Sequence, residues 1–348
     1  MLFVKEHIRK LRAYQPGLQP RDGERVIKLN TNENPYPPSP WVLESIRNEA
    51  SEALRLYSDP RSRTLRQAAA ALYGTSPEEV LCGNGSDEIL GILLRTFTTR
   101  GDSIGYYVPS YSYYATLGSI HALRLEPTPV GDRPDHPPLP QDPGPAVFFL
   151  TNPNSPLGFS FRPEAVAKLA ANLKGILVVD EAYADFARWN CLSLIREMPN
   201  VVVTRSLSKS YSLAGLRVGI ALAQEPLIRQ MDKVRDHYNI NRIAQQAGSV
   251  ALRDQKSFQE NRRRVLRTRD RLFLGLRGLG LDPLPSEANF VFVRFPSPEA
   301  AASVHDGLFR QGILVRHFEQ DGLVDGLRIS VGTARETDRL LEALRGLL

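Results

Sequence analysis

The hydrophobic pattern from about residue 63 onward alternates between helical spacing and short apolar runs. Residues 64–74 (TLRQAAAALYG) and 86–97 (SDEILGILLRTF) have the spacing of amphipathic helices, the first ended by Gly74 and the second opened by Ser86 and Asp87 as capping residues. Five runs rich in β-branched or aromatic residues are candidate strands: SIGYYV (103–108), AVFFLTN (146–152), GILVVD (175–180), NVVVTRS (200–206) and LRVGIAL (216–222). Because strands that are apolar almost throughout are typical of a sheet covered on both faces, we predict a layered α/β fold with a largely parallel sheet.

The second half of the chain has a different pattern. A long helical pattern spans 242–278, and two further predicted helices alternate with the short apolar runs NFVFVRF, GILVR and LRISVG. We therefore predict a large domain over 30–245 with a mostly parallel, mixed sheet, and a small α+β domain built from the N-terminal arm 1–29 and residues 246–348. The proline-rich segment 131–145 is expected to be an extended surface connection within the large domain.

Composition excludes several protein classes. The 348 residues are 42% hydrophobic and 24% charged, and no apolar run approaches the roughly 20 residues that cross a bilayer, so we expect no membrane partner. The N-terminal residues lack the apolar core of a secretory signal. Cys82 and Cys191 lie far apart, which argues against a disulfide framework and fits a reducing cytoplasm. The six histidines form no closely spaced pair, so no metal site is expected.

The net charge of +6 raises the question of nucleic-acid binding. The densest basic run is NRRRVLRTRDR (261–271), where Val265, Leu266, Leu272 and Leu274 recur at roughly helical spacing. This pattern favours an amphipathic helix with an arginine-rich outer face. Neither interleaved aromatic residues nor zinc-ligand spacing accompanies it, so we expect no nucleic-acid partner.

Polar residues follow the candidate strands, at the edge where ligands bind in open α/β sheets. Asp180 ends one strand, and Tyr183 follows three residues later; the carboxylate either meets a cation, such as a protonated ring nitrogen, or caps the next turn. GNGSDE (83–88) places two glycines and Ser86 before a helix, where backbone amides either bind a phosphate or are simply capped. Tyr111 follows another strand and either stacks on a flat ligand or packs in the core.

Lys209 has hydroxyl neighbours and no acidic one in RSLSKSYSLAGLRVG (205–219). It is either a solvated surface lysine or an amine kept reactive in a partly desolvated pocket. Arg217 adds a second fixed cation that suits a phosphate. A phosphate site, an aromatic ring, a carboxylate for a ring nitrogen and an amine together describe a site for pyridoxal phosphate.

Motifs along nearly the whole chain carry a family resemblance. They are LRAYQPG (11–17), LNTNENPYPPSP (29–40), LYSDP (56–60), GNGSDE (83–88), PSYSYY (109–114), TNPNSPLG (151–158), VVDEAY (178–183), RSLSKSYSLAGLRVG (205–219), GILVR (312–316) and LRISVGT (327–333). By these motifs the chain resembles the class I/II, fold-type I pyridoxal-phosphate-dependent aminotransferases, and within them it is most similar to the histidinol-phosphate aminotransferases. The resemblance implies a large cofactor-binding domain and a small domain.

The resemblance also implies roles for individual residues. Lys209 would bond to the cofactor's aldehyde carbon and move the proton between the substrate's Cα and the cofactor's C4′. Asp180 would pair with the pyridine nitrogen, Tyr183 would hydrogen-bond the phenolic oxygen, and Tyr111 would stack on the ring. Tyr57 would reach the cofactor phosphate of the other subunit of a homodimer with shared active sites. The other implied residues of the cofactor site, mostly around its phosphate, are Gly85, Ser86, Asp87, Ser206, Ser208 and Arg217.

One position departs from the family pattern. Ser155 stands in NSPLG where the family usually has a second asparagine that donates to the cofactor's phenolic oxygen. A hydroxyl is shorter but can still donate a hydrogen bond, directly or through water. We therefore expect Ser155 to belong to the cofactor site and to alter the tuning of the cofactor.

The implied reaction needs a site that binds two substrates in turn. Arg328 resembles the family arginine that binds a carboxylate, and Arg316, Tyr14 and Tyr57 are the positions expected to help bind the phosphate of histidinol phosphate. Without the resemblance, rim salt bridges and interface packing are the alternatives for these four. The expected reaction converts L-histidinol phosphate and 2-oxoglutarate to imidazole-acetol phosphate and L-glutamate, a step of histidine biosynthesis. Aromatic amino acid aminotransferases and threonine-phosphate decarboxylase share most of these motifs and are the alternatives.

Overall fold

The computed structural model describes residues 3–21, 23–132, 135–142 and 144–348, and its elements largely follow the hydrophobic pattern. The helices are α1 Glu6–Lys10, α2 Pro40–Glu49, α3 Arg63–Tyr73, α4 Ser86–Phe97, α5 Tyr113–Ile120, α6 Pro163–Asn172, α7 Leu194–Glu197, α8 Glu225–Val234, α9 Arg242–Arg253, α10 Gln255–Gly278, α11 Pro298–Arg310 and α12 Ala334–Arg345. The strands are β1 Ile27–Lys28, β2 Val80–Asn84, β3 Ser103–Val108, β4 Arg124–Pro129, β5 Val147–Thr151, β6 Ile176–Asp180, β7 Val201–Ser206, β8 Val218–Leu222, β9 Asp282–Pro283, β10 Phe290–Arg294, β11 Ile313–Leu314, β12 Arg316–His317 and β13 Gly326–Ser330.

A seven-stranded sheet forms the centre of the molecule, in the order β2-β8-β7-β6-β5-β3-β4. Strands β4, β3, β5, β6 and β7 are parallel, whereas β8 is antiparallel to both of its neighbours. Strands β5, β7 and β8 are buried along their whole length because their β-branched and aromatic residues face helices on both sides. The prediction of a mostly parallel, mixed sheet is confirmed.

The C-terminal part contains a second, smaller sheet. Strands β12, β13, β10 and β9 form an antiparallel sheet in that order. Apolar side chains of this sheet, such as Val291 and Ile329, share a buried cluster with Leu276 of α10 and Leu340 of α12. Strand β1 of the N-terminal arm pairs with β11 of this part. The domain boundaries at 29/30 and 245/246 stay predictions.

Two local expectations need correction, and a third, the helical pattern over 242–278, gains detail. The helix α4 is opened by Gly85, at φ +84°, so Ser86 is its first residue and neither Ser86 nor Asp87 caps it with a side chain. The pattern over 242–278 forms two helices, because Asp254 ends α9 and its side chain accepts a hydrogen bond from the Ser257 N–H at the start of α10. Leu274 is 65% exposed and lies outside the apolar face predicted for α10.

Two further expectations concern the surface. The described residues of 131–145 contain neither helix nor strand, and residues 133, 134 and 143 of that segment lie outside the described residues. Among the helices in the described part of the chain, none is long and apolar enough to span a membrane. The cytoplasmic location stays a prediction.

Gly219 sets how closely α4 approaches the sheet. A Cβ at this position of β8 would lie 2.5 Å from the backbone carbon of Gly85 and 2.6 Å from the backbone nitrogen of Ser86. We predict that Gly219→Ala lowers the free energy of unfolding by about 1–3 kcal/mol, because the start of α4 must move. Gly91 of α4 is the matched control, because a Cβ there meets no heavy atom within 4 Å. Gly91→Ala should raise the free energy of unfolding by about 1 kcal/mol. Equal urea midpoints for the two variants would contradict this packing.

Candidate active site

The carboxyl ends of the parallel strands open into a cavity of about 270 Å³. Tyr111 follows β3, Ser155 follows β5, Asp180 ends β6, and Lys209 follows β7. Parallel strands bring these residues to one edge of the sheet although they are distant in sequence. The predicted residues that line the cavity are Tyr14, Ser86, Asp87, Tyr111, Ser155, Asp180, Tyr183, Ser206, Ser208, Lys209, Arg217, Arg316 and Arg328.

Lys209 lies half-buried in this cavity without a carboxylate partner among the described residues. Its Nζ donates a hydrogen bond to the backbone carbonyl oxygen of Thr31 at 2.9 Å. Burial lowers the pKa of the Lys209 amine; the nearby Tyr183 opposes this shift, and the Arg328 charge adds to it. A lowered pKa increases the neutral fraction of the amine, which is the nucleophilic form.

Asp180 is a buried carboxylate. Among the described residues it forms no ion pair with a lysine, arginine or histidine. It accepts hydrogen bonds from the Tyr114 hydroxyl at 2.7 Å, the Ala182 N–H at 3.2 Å and the Thr204 hydroxyl at 3.3 Å. Burial raises the pKa of its carboxyl group, and these hydrogen bonds partly offset the rise. A cation placed against Asp180 would favour the ionised form.

The start of α4 and Arg217 form a cationic cradle on one side of the cavity. The first N–H groups of α4 carry no intrahelical bond, and a Cβ on Gly85 would overlap the Arg217 guanidinium. Arg217 donates to Ser208 Oγ at 3.5 Å and pairs with Asp87 at 3.1 Å. Free helix N–H groups beside a guanidinium are suited to a phosphate.

Tyrosine side chains form another wall of the cavity. The Tyr183 hydroxyl accepts a hydrogen bond from Asn32 Nδ2 at 3.0 Å. Tyr111 donates to Asp87 Oδ1 at 3.2 Å, and its ring lies edge-on to Tyr14 with centroids 5.9 Å apart. Burial raises the pKa of Tyr111, so its hydroxyl stays protonated and can donate.

Two arginines point to an anionic ligand. Arg328 donates to Ser155 Oγ at 3.1 Å and to the Asn30 carbonyl oxygen at 3.0 Å, while its Nε is buried without a hydrogen-bond partner. Within the described residues, Arg316 donates to the backbone carbonyl oxygens of residues 15 and 16. Neither guanidinium pairs with a carboxylate in the described part of the chain. Such cations are best stabilised by a carboxylate or phosphate from outside the chain.

Tyr57 does not line the cavity of its own chain. It is 79% exposed, and its ring stacks on Tyr238 with centroids 4.3 Å apart. Gly85 also lies outside the lining, although it opens the helix whose first residue, Ser86, does line it.

Sequence reasoning assigned no role to several residues of the site. Thr31 binds Lys209, Asn32 binds Tyr183, and Tyr114 and Thr204 bind Asp180. Thr31 and Asn32 lie in LNTNENPYPPSP and Tyr114 in PSYSYY, so the motifs contain them. Only the folded geometry identifies their partners.

Comparisons with known proteins agree with this architecture. A family model described as aminotransferase class I and II matches residues 24–344. The chain is 49% identical to the histidinol-phosphate aminotransferase of Geotalea uraniireducens (strain Rf4) over 99% of both chains. It is 46% identical to the protein of that name from Citrifermentans bemidjiense, over 100% of this chain and 99% of that one.

A solved structure is similar over the same length. The crystal structure of histidinol-phosphate aminotransferase from Sinorhizobium meliloti in complex with pyridoxal-5'-phosphate matches with a TM-score of 0.90 and 30% identity, covering 100% of this chain and 98% of that one. The chain therefore belongs to the class I and II aminotransferase family, in its histidinol-phosphate aminotransferase group.

Proposed function

We propose that the protein transfers the amino group of L-histidinol phosphate to 2-oxoglutarate with pyridoxal phosphate as cofactor, giving imidazole-acetol phosphate and L-glutamate. This is a step of histidine biosynthesis. The observation that carries the proposal is Lys209, a half-buried amine with a lowered pKa and no carboxylate partner among the described residues. Membership of the histidinol-phosphate aminotransferase group supports the choice of substrate.

The side chains of the cavity fit the chemical groups of pyridoxal phosphate. The cradle of Ser86, Ser208 and Arg217 suits the phosphate, and the uncompensated carboxylate of Asp180 suits a protonated pyridine nitrogen. Tyr183 and Ser155 offer hydroxyl groups for the phenolic oxygen. This one cofactor accounts both for a buried carboxylate without a cationic partner and for an amine without an ion-pair partner among the described residues.

Each catalytic residue then has a defined task. The cofactor, when bound, withdraws electrons from the substrate's Cα and carries the amino group between the two half-reactions. Asp180 would hold the pyridine nitrogen in its protonated form. Lys209 would hold the cofactor through its aldehyde carbon and, once freed by the substrate's amine, would move the proton between the substrate's Cα and the cofactor's C4′. Tyr183, held by Asn32, would offer its hydroxyl to the phenolic oxygen.

Both substrates are proposed to use the same cationic wall. Glutamate and 2-oxoglutarate carry carboxylates, whereas histidinol phosphate has none on Cα and carries a phosphate. Arg328 and Arg316 have no carboxylate partner in the described chain and can bind either anion. Tyr14, whose ring lies edge-on to Tyr111, adds a hydroxyl to the same cavity that both arginines line.

A homodimer with shared active sites is part of the proposal. Tyr57 is exposed, as are the large apolar side chains Trp41 (70%), Leu54 (53%) and Leu56 (51%) close to it in sequence. Large exposed apolar side chains of this kind are typical of a surface that another chain covers. Stacking on Tyr238 holds the exposed Tyr57 ring in place, which supports the proposed role of Tyr57 at the cofactor phosphate of a partner subunit.

The substrate assignment is tested by half-reactions. The protein loaded with pyridoxal phosphate is mixed separately with histidinol phosphate, phenylalanine and threonine phosphate, and conversion to the pyridoxamine spectrum is followed. We expect the fastest conversion with histidinol phosphate, because its phosphate suits Arg328 and Arg316 and because the chain belongs to the histidinol-phosphate aminotransferase group. Fastest conversion with phenylalanine would instead make the protein an aromatic aminotransferase, and release of carbon dioxide from threonine phosphate would exclude transamination of that substrate.

Ser155 is predicted to tune the cofactor. Its Oγ accepts a hydrogen bond from Arg328, which leaves its own proton free to donate to the phenolic oxygen. A serine reaches this oxygen less well than the family asparagine, so the deprotonated chromophore is stabilised less. We predict a higher pKa for the Lys209–cofactor chromophore in the wild type than in Ser155→Asn, measured by absorbance against pH. Equal pKa values in the two proteins would contradict the assignment.

A further inference from the structure

A buried charge cluster lies beside the active-site residues in the chain but outside the cavity lining. It consists of Glu181, Asp185, Arg205 and Ser210. Arg205 forms ion pairs with Glu181 and with Asp185, each with an N···O distance of 2.8 Å. The Ser210 hydroxyl donates to the second carboxylate oxygen of Asp185 at 2.5 Å. Asp185 is thus the residue that joins Arg205 to Ser210.

Stability alone does not account for this cluster. Arg205 is 5% exposed and Glu181 is 1% exposed, so both charges have lost most of their hydration. Buried ion pairs are often no more stabilising than apolar residues of the same volume, because desolvation offsets their attraction. Their best-supported benefit is a uniquely defined local geometry, which a functional site next to the cluster would use.

Each member of the cluster lies within two positions of an active-site residue in the sequence. Glu181 follows Asp180, and Arg205 precedes Ser206 at the end of β7. Ser210 follows Lys209 directly. Asp185 lies in the short turn Ala184–Phe186 that begins after Tyr183. The cluster therefore connects the strand ends and loops that carry three proposed catalytic residues.

The chain at Lys209 and Ser210 is held by hydrogen bonds to two other segments. Asn34 Nδ2 donates to the carbonyl oxygens of Lys209 and Ser210, at 3.0 and 3.2 Å. The Ser210 hydroxyl donates a further hydrogen bond to Asp185. A lysine carries its amine on a flexible four-carbon stem, so the place of the amine depends on where the backbone is fixed.

We propose that Asp185 is a positioning residue for the proton transfer, and that it acts through Ser210 to fix Lys209 relative to Asp180. The proposal rests on the proposed function. Asp185 touches neither cofactor nor substrate, since it lies outside the cavity lining. Its loss should leave substrate binding intact and slow the step in which Lys209 moves the Cα proton, because small misplacements of a catalytic group are costly.

The test uses Ser210→Ala and Asp185→Asn in the full-length protein loaded with pyridoxal phosphate. Rates are measured with histidinol phosphate and with the same substrate deuterated at Cα. We expect kcat to fall about tenfold with KM changed less than about twofold, and the deuterium effect on kcat to rise. A second readout needs no turnover. When pyridoxal phosphate is added to the apoprotein, the Lys209 chromophore should form several-fold more slowly in both variants than in the wild type. If Asp185→Asn does not fold, Ser210→Ala removes the same link with a smaller change.

Asp232 provides a matched control away from the cavity. Its carboxylate bridges two arginines, Arg66 at 3.1 Å and Arg235 at 3.0 Å, as the Asp185 carboxylate bridges Arg205 and Ser210. Asp232→Asn should lower the thermal midpoint without changing the deuterium effect or the rate of chromophore formation. Wild-type values of both readouts in Ser210→Ala and Asp185→Asn, or equal changes in Asp232→Asn, would overturn the proposal. If histidinol phosphate is not a substrate of the wild type, the proposed function fails, while chromophore formation still tests the positioning role.

Discussion

The active site depends on positive charges that form no ion pair with a carboxylate in the described part of the chain. Lys209, Arg316 and Arg328 reach one cavity, and among the described residues none of them pairs with a carboxylate. Burial makes such charges costly, and it lowers the pKa of the Lys209 amine. The arrangement is therefore suited to ligands that supply an aldehyde, a phosphate or a carboxylate.

The site also contains a buried negative charge. Asp180 is the buried carboxylate of the site, and hydrogen bonds from Tyr114 and Thr204 hold it in place. Asp180 ends β6, and Lys209 lies in the loop directly after β7. Because β6 and β7 are neighbours in the sheet, their pairing brings the two residues to the same edge. Ion pairs and a hydrogen bond also hold the loop after β7. They are formed by the buried charge cluster of Glu181, Asp185, Arg205 and Ser210.

The sequence alone was enough to predict the elements that have a clear local hydrophobic pattern. Runs such as GILVVD and NVVVTRS predicted buried strands, and their polar ends predicted that Asp180 and Lys209 face one ligand. Strand β4 was missed because it is an exposed edge strand with proline in it, which weakens the hydrophobic pattern. Gly85 was missed as the cap of α4 because glycine caps through its backbone conformation and leaves no side-chain signature. The bond between Tyr114 and Asp180 joins residues 66 positions apart, so only the fold predicts it.

The central claim is that Lys209 is the amine that binds the cofactor's aldehyde, and chemical trapping tests it most directly. The protein loaded with pyridoxal phosphate is reduced with borohydride, digested and examined by mass spectrometry for a lysine that carries the pyridoxyl phosphate group. The adduct is predicted on the peptide that contains Lys209 and should be absent from Lys209→Ala, while Lys233→Ala, a change at an exposed lysine of α8, should retain it. An adduct on another lysine of the wild type, or undiminished trapping in Lys209→Ala, would contradict the claim.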